Sequence, residues 1–356
     1  MKTKSIFIPI AACEEKFIKQ TIQSALSTAK NPSKIYFGVF NNILNKNNSL
    51  LDDEFITNND QIFYTELITP IPLGVGFGRA NASLLQFDNF DYMFQIDAHT
   101  IFTKNWDEKI ISVFDKIKDE NNIDENKLIL SSICPISWTY DPTNLNEIFM
   151  PDFINNTFIK VDPNNLEESY PFINSKCLTV PEIVYNGKQG DVVIESTINF
   201  PTVYGKNEQR SIKDYEETNC VHASFVFSKA NIIREVLHDA LDPFHGDQAN
   251  YSIRLLSRGY RIFSPKFPLI STLNKFKIEM SDSSFKNTVT FLDQDDWRVG
   301  RPNISQKDYF YQDILNENAI LFFNKIITGE YLGYWGAPDK ESLEDTKNKI
   351  DYPKDL

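Results

Sequence analysis

The sequence predicts an α/β domain built on a largely parallel sheet, and three observations carry that prediction. Through the first third of the chain, apolar runs of strand length alternate with segments whose apolar residues recur at helical spacing. The same alternation returns near residue 221. Between the two, from about Trp138 to Asn219, the chain is rich in Pro, Asn, Phe and Tyr, with alternating runs such as KCLTVPEIVY and DVVIESTI that suit hairpins. An α/β body interrupted by a β-rich insertion, with a C-terminal extension behind it, is therefore expected.

Each element follows in order. Ser5 to Ala12 reads as a strand. Glu15 to Ala29 reads as a helix, with Phe17, Ile18, Ile22, Ala25 and Leu26 along one face. Lys34 to Phe40 is a second strand, and the polar stretch NNILNKNNSLLDDEFITNND crosses the surface to a third, QIFYTELI. PLGVGFGRANASLLQF opens on a three-glycine turn and becomes helical in its second half. Tyr92 to Ile96 is a buried strand, and Trp106, Ile110, Ile111, Phe114 and Ile117 mark an amphipathic helix after it. Leu128 to Ile136 reads as one further buried strand. After the insertion come VHASFVFSKANIIREVL and a helix starting near Gly246, on which Ala249, Ile253 and Leu256 share a face. The tail holds FLDQDDWRVGRP, the amphipathic YFYQDILNENAILFFNKII and GEYLGYWGAP.

Composition narrows the function classes. The 356 residues are 41% hydrophobic and 24% charged, enough for a substantial core. A net charge of -13, from 36 basic and 49 acidic side chains, disfavours a passive electrostatic grip on nucleic acid or an anionic membrane, although it does not describe any one groove. The four cysteines, Cys13, Cys134, Cys177 and Cys220, form no CxxC pair, which points to a reducing compartment and a cytoplasmic location. MKTKSIFIPIAAC loosely resembles a lipoprotein leader, but its apolar run is short and leads straight into a helical pattern, so it reads as first strand and first helix. No run reaches the roughly 20 apolar residues of a membrane span, and no membrane partner is expected.

The chemistry is expected where the strand DYMFQIDAHT ends. Side chains two apart on a strand point the same way, so Asp97 and His99 would converge on one point at the edge of the sheet. A carboxylate with an imidazole is a mixed oxygen and nitrogen donor pair, which suits Mn²⁺ better than Ca²⁺. Such an ion can bridge two phosphates and neutralise the charge that builds on a departing diphosphate. The competing reading is an Asp helix cap with an incidental loop histidine. Other site types are excluded: GVGFGR lacks GxGxxG spacing and does not follow the first strand, and no Walker loop, HExxH or GxSxG is present.

Taken together, SIFIPIAACEEKFIKQTIQSALSTAKNPSKIYFGVFNN, GVGFGRANASL, YMFQIDAHTIFTKNWDEKI, HASFVFSKANII and GDQANYSIRLLSRGYRIFSP run in the order seen in GT-A fold glycosyltransferases. The sequence most resembles the cytoplasmic GlcNAc-transferases that modify hydroxyproline on a protein, relatives of the mucin-type polypeptide GalNAc-transferases. The similarity spans about Ser5 to Phe276. The resemblance implies a GT-A glycosyltransferase domain, with a Rossmann-like mixed sheet, dependent on Mn²⁺ or Mg²⁺. It implies a nucleotide-sugar-binding half over 1–136, a β-rich insertion and acceptor-side half over 137–275, and an extension over 276–356. Asp97 and His99 would bind the metal, with His245 as a further ligand. Arg79 would meet the diphosphate, a role suited to a guanidinium. Asp247 would orient the reacting sugar or take a proton, and Ala11 and Glu14 would face the nucleotide at the end of the first strand.

The pattern also departs from the family. AACEE stands where Ser-Tyr-Arg-Asp is usual, so Glu14 or Glu15 takes the place of the acid. LISTLNKF offers Thr272 and Asn274 where a histidine is common, leaving His245, His222 or water to complete the metal shell. The implied activity is transfer of GlcNAc or GalNAc from a UDP-sugar, with retention, to a protein or glycan hydroxyl. A hydroxymethylated base in DNA and a catalytically silent sugar-nucleotide-binding protein are the alternatives. Trp297, Arg298, Arg301, Tyr331, Tyr334 and Trp335 would line an acceptor groove or pack against the core.

Overall fold

Residues Ile6, Phe7, Ile8 and Ile10 are all buried, and a strand apolar on both faces belongs in the middle of a sheet covered on both sides. The strand is β1 (Ile6–Cys13), and in the computed structural model it is paired in parallel with β2 (Ile35–Ile43) and with β4 (Tyr92–Asp97). The structure describes residues 3–13, 15, 17–70, 72–132, 134, 136–139, 148–152, 157–161, 184–185, 198–199, 215–240, 247–265, 269–275, 321–322 and 324–350. β3 (Ile62–Ile68) extends the sheet in parallel beyond β2. On the other side of β4 lies β13 (Phe225–Lys229), antiparallel to both β4 and β6 (Leu128–Ser131). β14 (Arg261–Pro265) and β12 (Tyr215–Thr218) finish an eight-stranded mixed sheet of order β12-β14-β6-β13-β4-β1-β2-β3. The mixed α/β sheet expected from the sequence is the one present.

One face of the sheet carries α1 (Ile18–Thr28) and α4 (Trp106–Asn121), packed through Ile18, Ile22, Ala25, Trp106, Ile110, Phe114 and Ile117 onto Ile6, Ile8, Ile10, Tyr92 and Phe94. Trp106 Nε1 donates to the Ala25 carbonyl at 2.9 Å, and the Asp107 carboxylate accepts from the backbone of Lys30 and Asn31 at 2.7 and 2.9 Å. The buried indole N–H and both carboxylate oxygens are thus satisfied. The opposite face packs Phe7, Met93, Ile129 and Val226 with α5 (Ile232–Glu235), α6 (Asp247–Leu256) and, further along the chain, α7 (Lys340–Lys349). The expected face of α6 is present: Ala249 and Ile253 are fully buried and Leu256 nearly so.

A second sheet has the order β5-β15-β7-β8-β9, from β5 (Thr100–Phe102), β15 (Ile270–Lys275), β7 (Ile136–Thr139), β8 (Ile148–Asp152) and β9 (Thr157–Val161). β8 pairs antiparallel with both β7 and β9. The runs KCLTVPEIVY and DVVIESTI lie largely outside the described residues; at their ends β10 (Val184–Tyr185) pairs antiparallel with β11 (Ile198–Asn199).

Three local expectations are corrected. Leu128 to Ile136 is two strands, not one: β6 ends at Ser131 and β7 begins at Ile136 in the other sheet. The chain changes sheets where Ser131 Oγ donates to the Phe225 carbonyl at 2.6 Å and receives the His222 N–H at 2.7 Å. The polar stretch after Phe40 contributes Asn41 to Ile43 to β2 and a four-residue helix, α2 (Glu54–Thr57), capped by Asp53 Oδ1 accepting from Phe55 N–H at 2.9 Å. Finally, α3 (Val75–Leu84) begins directly after Gly74, so Gly76 and Gly78 are helical rather than a turn. The backbone of α3 approaches β2 very closely: a Cβ on Gly38 would sit 2.5 Å from the Ala82 carbonyl oxygen.

Candidate active site

The chain order reverses across β1, whose neighbours are β2 on one side and the later β4 on the other. In open α/β sheets the crevice outside the carboxyl ends of such strands is where ligands bind. Ala11 of β1 and Asp97 of β4 are register partners at that end. α3 packs over them, close enough that a Cβ on Gly78 would lie 3.0 Å from the Ala11 methyl. The next residue, Arg79, is 7% exposed, and its Nη2 is 3.6 Å from Asp97 Oδ1. Three of the expected residues, Ala11, Arg79 and Asp97, are thus brought together by two parallel strands and one helix.

β4 ends at Asp97, so His99 is not the strand neighbour the sequence suggests; it lies in the bend before β5. The bend is fixed at each residue. Thr100 Oγ1 donates to the Asp97 carbonyl at 2.8 Å, and Thr21 Oγ1 of α1 donates to the Ala98 carbonyl at 2.9 Å while accepting from Thr100 N–H at 2.8 Å. The ring of His99 is held through Nδ1, 3.0 Å from Glu15 Oε2. The other oxygen of Glu15 accepts from Phe17 N–H at 3.1 Å, at the start of α1. One acid thus orients the imidazole and anchors a helix.

A further group lies beside the expected one. His222 Nδ1 is 2.5 Å from Ser224 Oγ, which donates to Cys134 Sγ at 3.4 Å, and Gln95 Nε2 ties the intervening Ala223 carbonyl to β4 at 2.8 Å. Burial pushes the His222 imidazole down to about 4, aided by the Arg79 charge and opposed by Asp97. Burial likewise pushes the Cys134 thiol up to about 12, with Asp97 acting in the same direction. At neutral pH both groups are therefore uncharged, a neutral rim beside the Arg79–Asp97 pair. The sequence offers His222 only as an alternative ligand and gives no sign of its link to Cys134 through Ser224. Ser224 and Cys134 are ninety residues apart, which leaves no local pattern to read.

Asp247 is the first residue of α6, on the sheet face opposite α1. α6 is tied to the segment before His222 by Val221 N–H, which donates to Ser252 Oγ at 2.9 Å. Glu14 and His245 lie outside the described residues, as do Trp297, Arg298 and Arg301. Among the described residues no group of three or more His, Cys, Asp or Glu side chains is arranged to hold a metal ion. The pair Asp97 and His99 nevertheless fits a first-row divalent ion. Its donors are a carboxylate and an imidazole, and a carboxylate behind the imidazole is the usual outer partner of a metal-ligating histidine.

A buried guanidinium beside a carboxylate thus sits at the carboxyl edge of a mixed sheet, the place where open α/β folds bind their ligands. The class can be stated more narrowly. The chain belongs to the Glycosyltransferase (GlcNAc) family, whose model matches residues 45–271, well over half of the sequence. No curated protein matches it as a relative. Among solved structures it is similar to one described as "GalNAc-T7 with UDP, GalNAc and Mn2+", with a TM-score of 0.45 and 10% identity over 98% of this chain. It is also similar to S. aureus TarS 1-349, with a TM-score of 0.41 and 12% identity over 76% of this chain. The chain spans 55% of the length of the first and 60% of the second. Among the described residues no helix is long and apolar enough to cross a membrane.

Proposed function

We propose that this glycosyltransferase moves GlcNAc or GalNAc from a UDP-sugar to an acceptor hydroxyl, with retention, in the manner of the cytoplasmic hydroxyproline GlcNAc-transferases. The observation that carries the reading is Arg79: buried, on a helix packed against Ala11, and 3.6 Å from Asp97. Burying a guanidinium is costly unless a partner compensates it, and a diphosphate arriving at this edge would share that charge. Arg79 would grip a phosphate oxygen of the donor, and the end of β1 at Ala11 would border the nucleotide.

Asp97 and His99 would hold the ion, His99 through Nε2 because Nδ1 faces Glu15. When bound, Mn²⁺ or Mg²⁺ supplies positive charge that stabilises the departing diphosphate. With two protein donors, much of the shell would come from phosphate and water, as is common for Mg²⁺ at nucleotide sites. Asp247, at the start of α6, would bind hydroxyls of the reacting sugar. Under retention the acceptor attacks from the face the diphosphate leaves, and a phosphate oxygen takes its proton; under inversion Asp247 would be the base. A protein or glycan hydroxyl suits the acidic chain better than a nucleobase in DNA.

A panel of UDP-sugars tested for Mn²⁺-dependent release of UDP identifies the donor, and NMR of the transferred sugar's anomeric linkage tests retention. UDP binding without hydrolysis or transfer from any sugar on the panel would instead describe a silent binding protein.

A further inference from the structure

The segment 329–337 inverts the usual arrangement of a surface loop. Its backbone is fastened from beneath by two arginines that follow one another on and just after α6. Arg258 donates to the carbonyls of Gly336 and Gly333, each at 2.7 Å, and of Tyr334 at 3.0 Å; Arg254 donates to the Tyr334 carbonyl at 3.2 Å. The loop closes on itself through Gly333 N–H and the Ala337 carbonyl at 2.7 Å. Both glycines are favoured by the backbone here. Gly333 has φ +88°, and a Cβ on Gly336 would sit 1.9 Å from the Tyr331 carbonyl oxygen. This much local constraint leaves Tyr331, Leu332, Tyr334 and Trp335 between 37% and 43% exposed. Trp335 rests over the Arg254 guanidinium at 5.4 Å and meets Tyr334 edge-on, with ring planes at 88°.

We infer that this loop is a carbohydrate-binding platform, on which pyranose rings of an acceptor glycan stack against Trp335 and Tyr331. The inference rests on the transferase reading for its class of ligand. Size separates a sugar from a protein partner. About two-fifths of four side chains, three of them aromatics of roughly 150–250 Å² each, is on the order of 300 Å², well short of the ~800 Å² that each side of a stable protein interface buries. That area suits one or two sugar rings, whose C–H faces are apolar and pack flat on an aromatic face. Rigid rings lose little freedom on binding, which favours weak ligands such as short glycans. The loop also has a route to the reaction: Arg254 lies seven residues, about 10 Å, along α6 from Asp247.

The test uses the full chain and neutral probes, N-acetylchitotriose, cellotriose and maltotriose, with binding followed by tryptophan fluorescence and by interferometry on immobilised sugar. We expect at least one probe to bind. Trp335→Ala should weaken it about tenfold, the upper end of what one aromatic contact contributes, and Tyr331→Ser should weaken it less. Trp335→Phe, which keeps a ring over Arg254, should retain binding and so separates loss of stacking from loss of the loop's fold. Failure of every probe to bind wild-type protein, or equal binding by Trp335→Ala, would overturn the inference. So would a concentration-dependent dimer in sedimentation that Trp335→Ala dissolves, since the patch would then belong to a second copy. UDP binding is measured separately by calorimetry. Its absence from the wild type would sink the donor-site reading, while the oligosaccharide arms still decide this one.

Discussion

Two buried arginines, Arg79 and Arg254, differ in what they face. Arg79 faces the carboxylate of Asp97 at the edge of the sheet, with Asp97 still partly exposed. Arg254 is 1% exposed and donates to the Tyr334 carbonyl, with the Trp335 ring beside it. Burial presses the charge of Arg254 so strongly that its guanidinium is pushed down to about 10. A guanidinium paired with a carboxylate can exchange that partner for a phosphate, whereas one that fastens backbone carbonyls cannot leave without releasing the loop. The role follows from the partner rather than from the residue type.

The largest effect should fall on the edge of the sheet. Asp97→Asn is expected to lower Mn²⁺-dependent UDP-sugar turnover by about 10²–10³, the scale of losing a major electrostatic contact to a developing negative charge; steady-state UDP release measures it. The clamp should respond in stability instead. Arg254→Ala leaves a cavity beneath a loop still held by Arg258 and should cost about 3 kcal/mol in urea unfolding, with UDP affinity held within about twofold by calorimetry. Arg79→Met should do the reverse, weakening UDP about thirtyfold, or ~2 kcal/mol, with little change in unfolding. A variant pair that moved both quantities together would erase the distinction between the two arginines.

Smaller effects sharpen the description of the edge. His222 is held neutral in the folded state, with its imidazole at about 4 against an ordinary 6.5. A depressed base contributes its stability above the unfolded pKa and loses it as pH falls from about 6.5 toward 4, because the unfolded chain binds the proton first. Between pH 7 and pH 5 this amounts to about 2 kcal/mol, and His222→Gln should remove that part of the slope in paired urea melts. The buried His238 imidazole, also driven well below its ordinary value by burial, contributes with the same sign. Glu15→Gln should raise the Mn²⁺ concentration needed for half-maximal activity about tenfold, the lower end of outer-partner effects.

Much of the sheet was legible because its strands are apolar throughout and its first helices keep a clean 3.6 period: β1, β2, β3, β4, α1 and α4 lie within a few residues of their expected places. The turn into β7 was not, because Ile133, Cys134 and Ile136 carry the apolar pattern past two small serines while the chain changes sheets. The start of α3 was misplaced because glycine is a poor helix former in general, yet here close packing against β1 and β2 requires its small size. At the site, Asp97 and His99 stood out as a local pair. What holds them did not, since Thr21, Glu15 and Arg79 reach them from other elements.

The position of β13 has a consequence for how the chain is made. It is wedged between β4 and β6, both synthesised earlier, so the middle of the main sheet stays open until residue 229 has emerged. At roughly 5–20 residues per second, ribosomes leave that slot unfilled for on the order of five to twenty seconds after β6 appears. During that interval two apolar strands present bare hydrogen-bonding edges to any passing extended peptide. Nascent chains of this protein should therefore lean on chaperones most heavily in that window, and truncations that stop short of β13 should aggregate rather than form a smaller sheet.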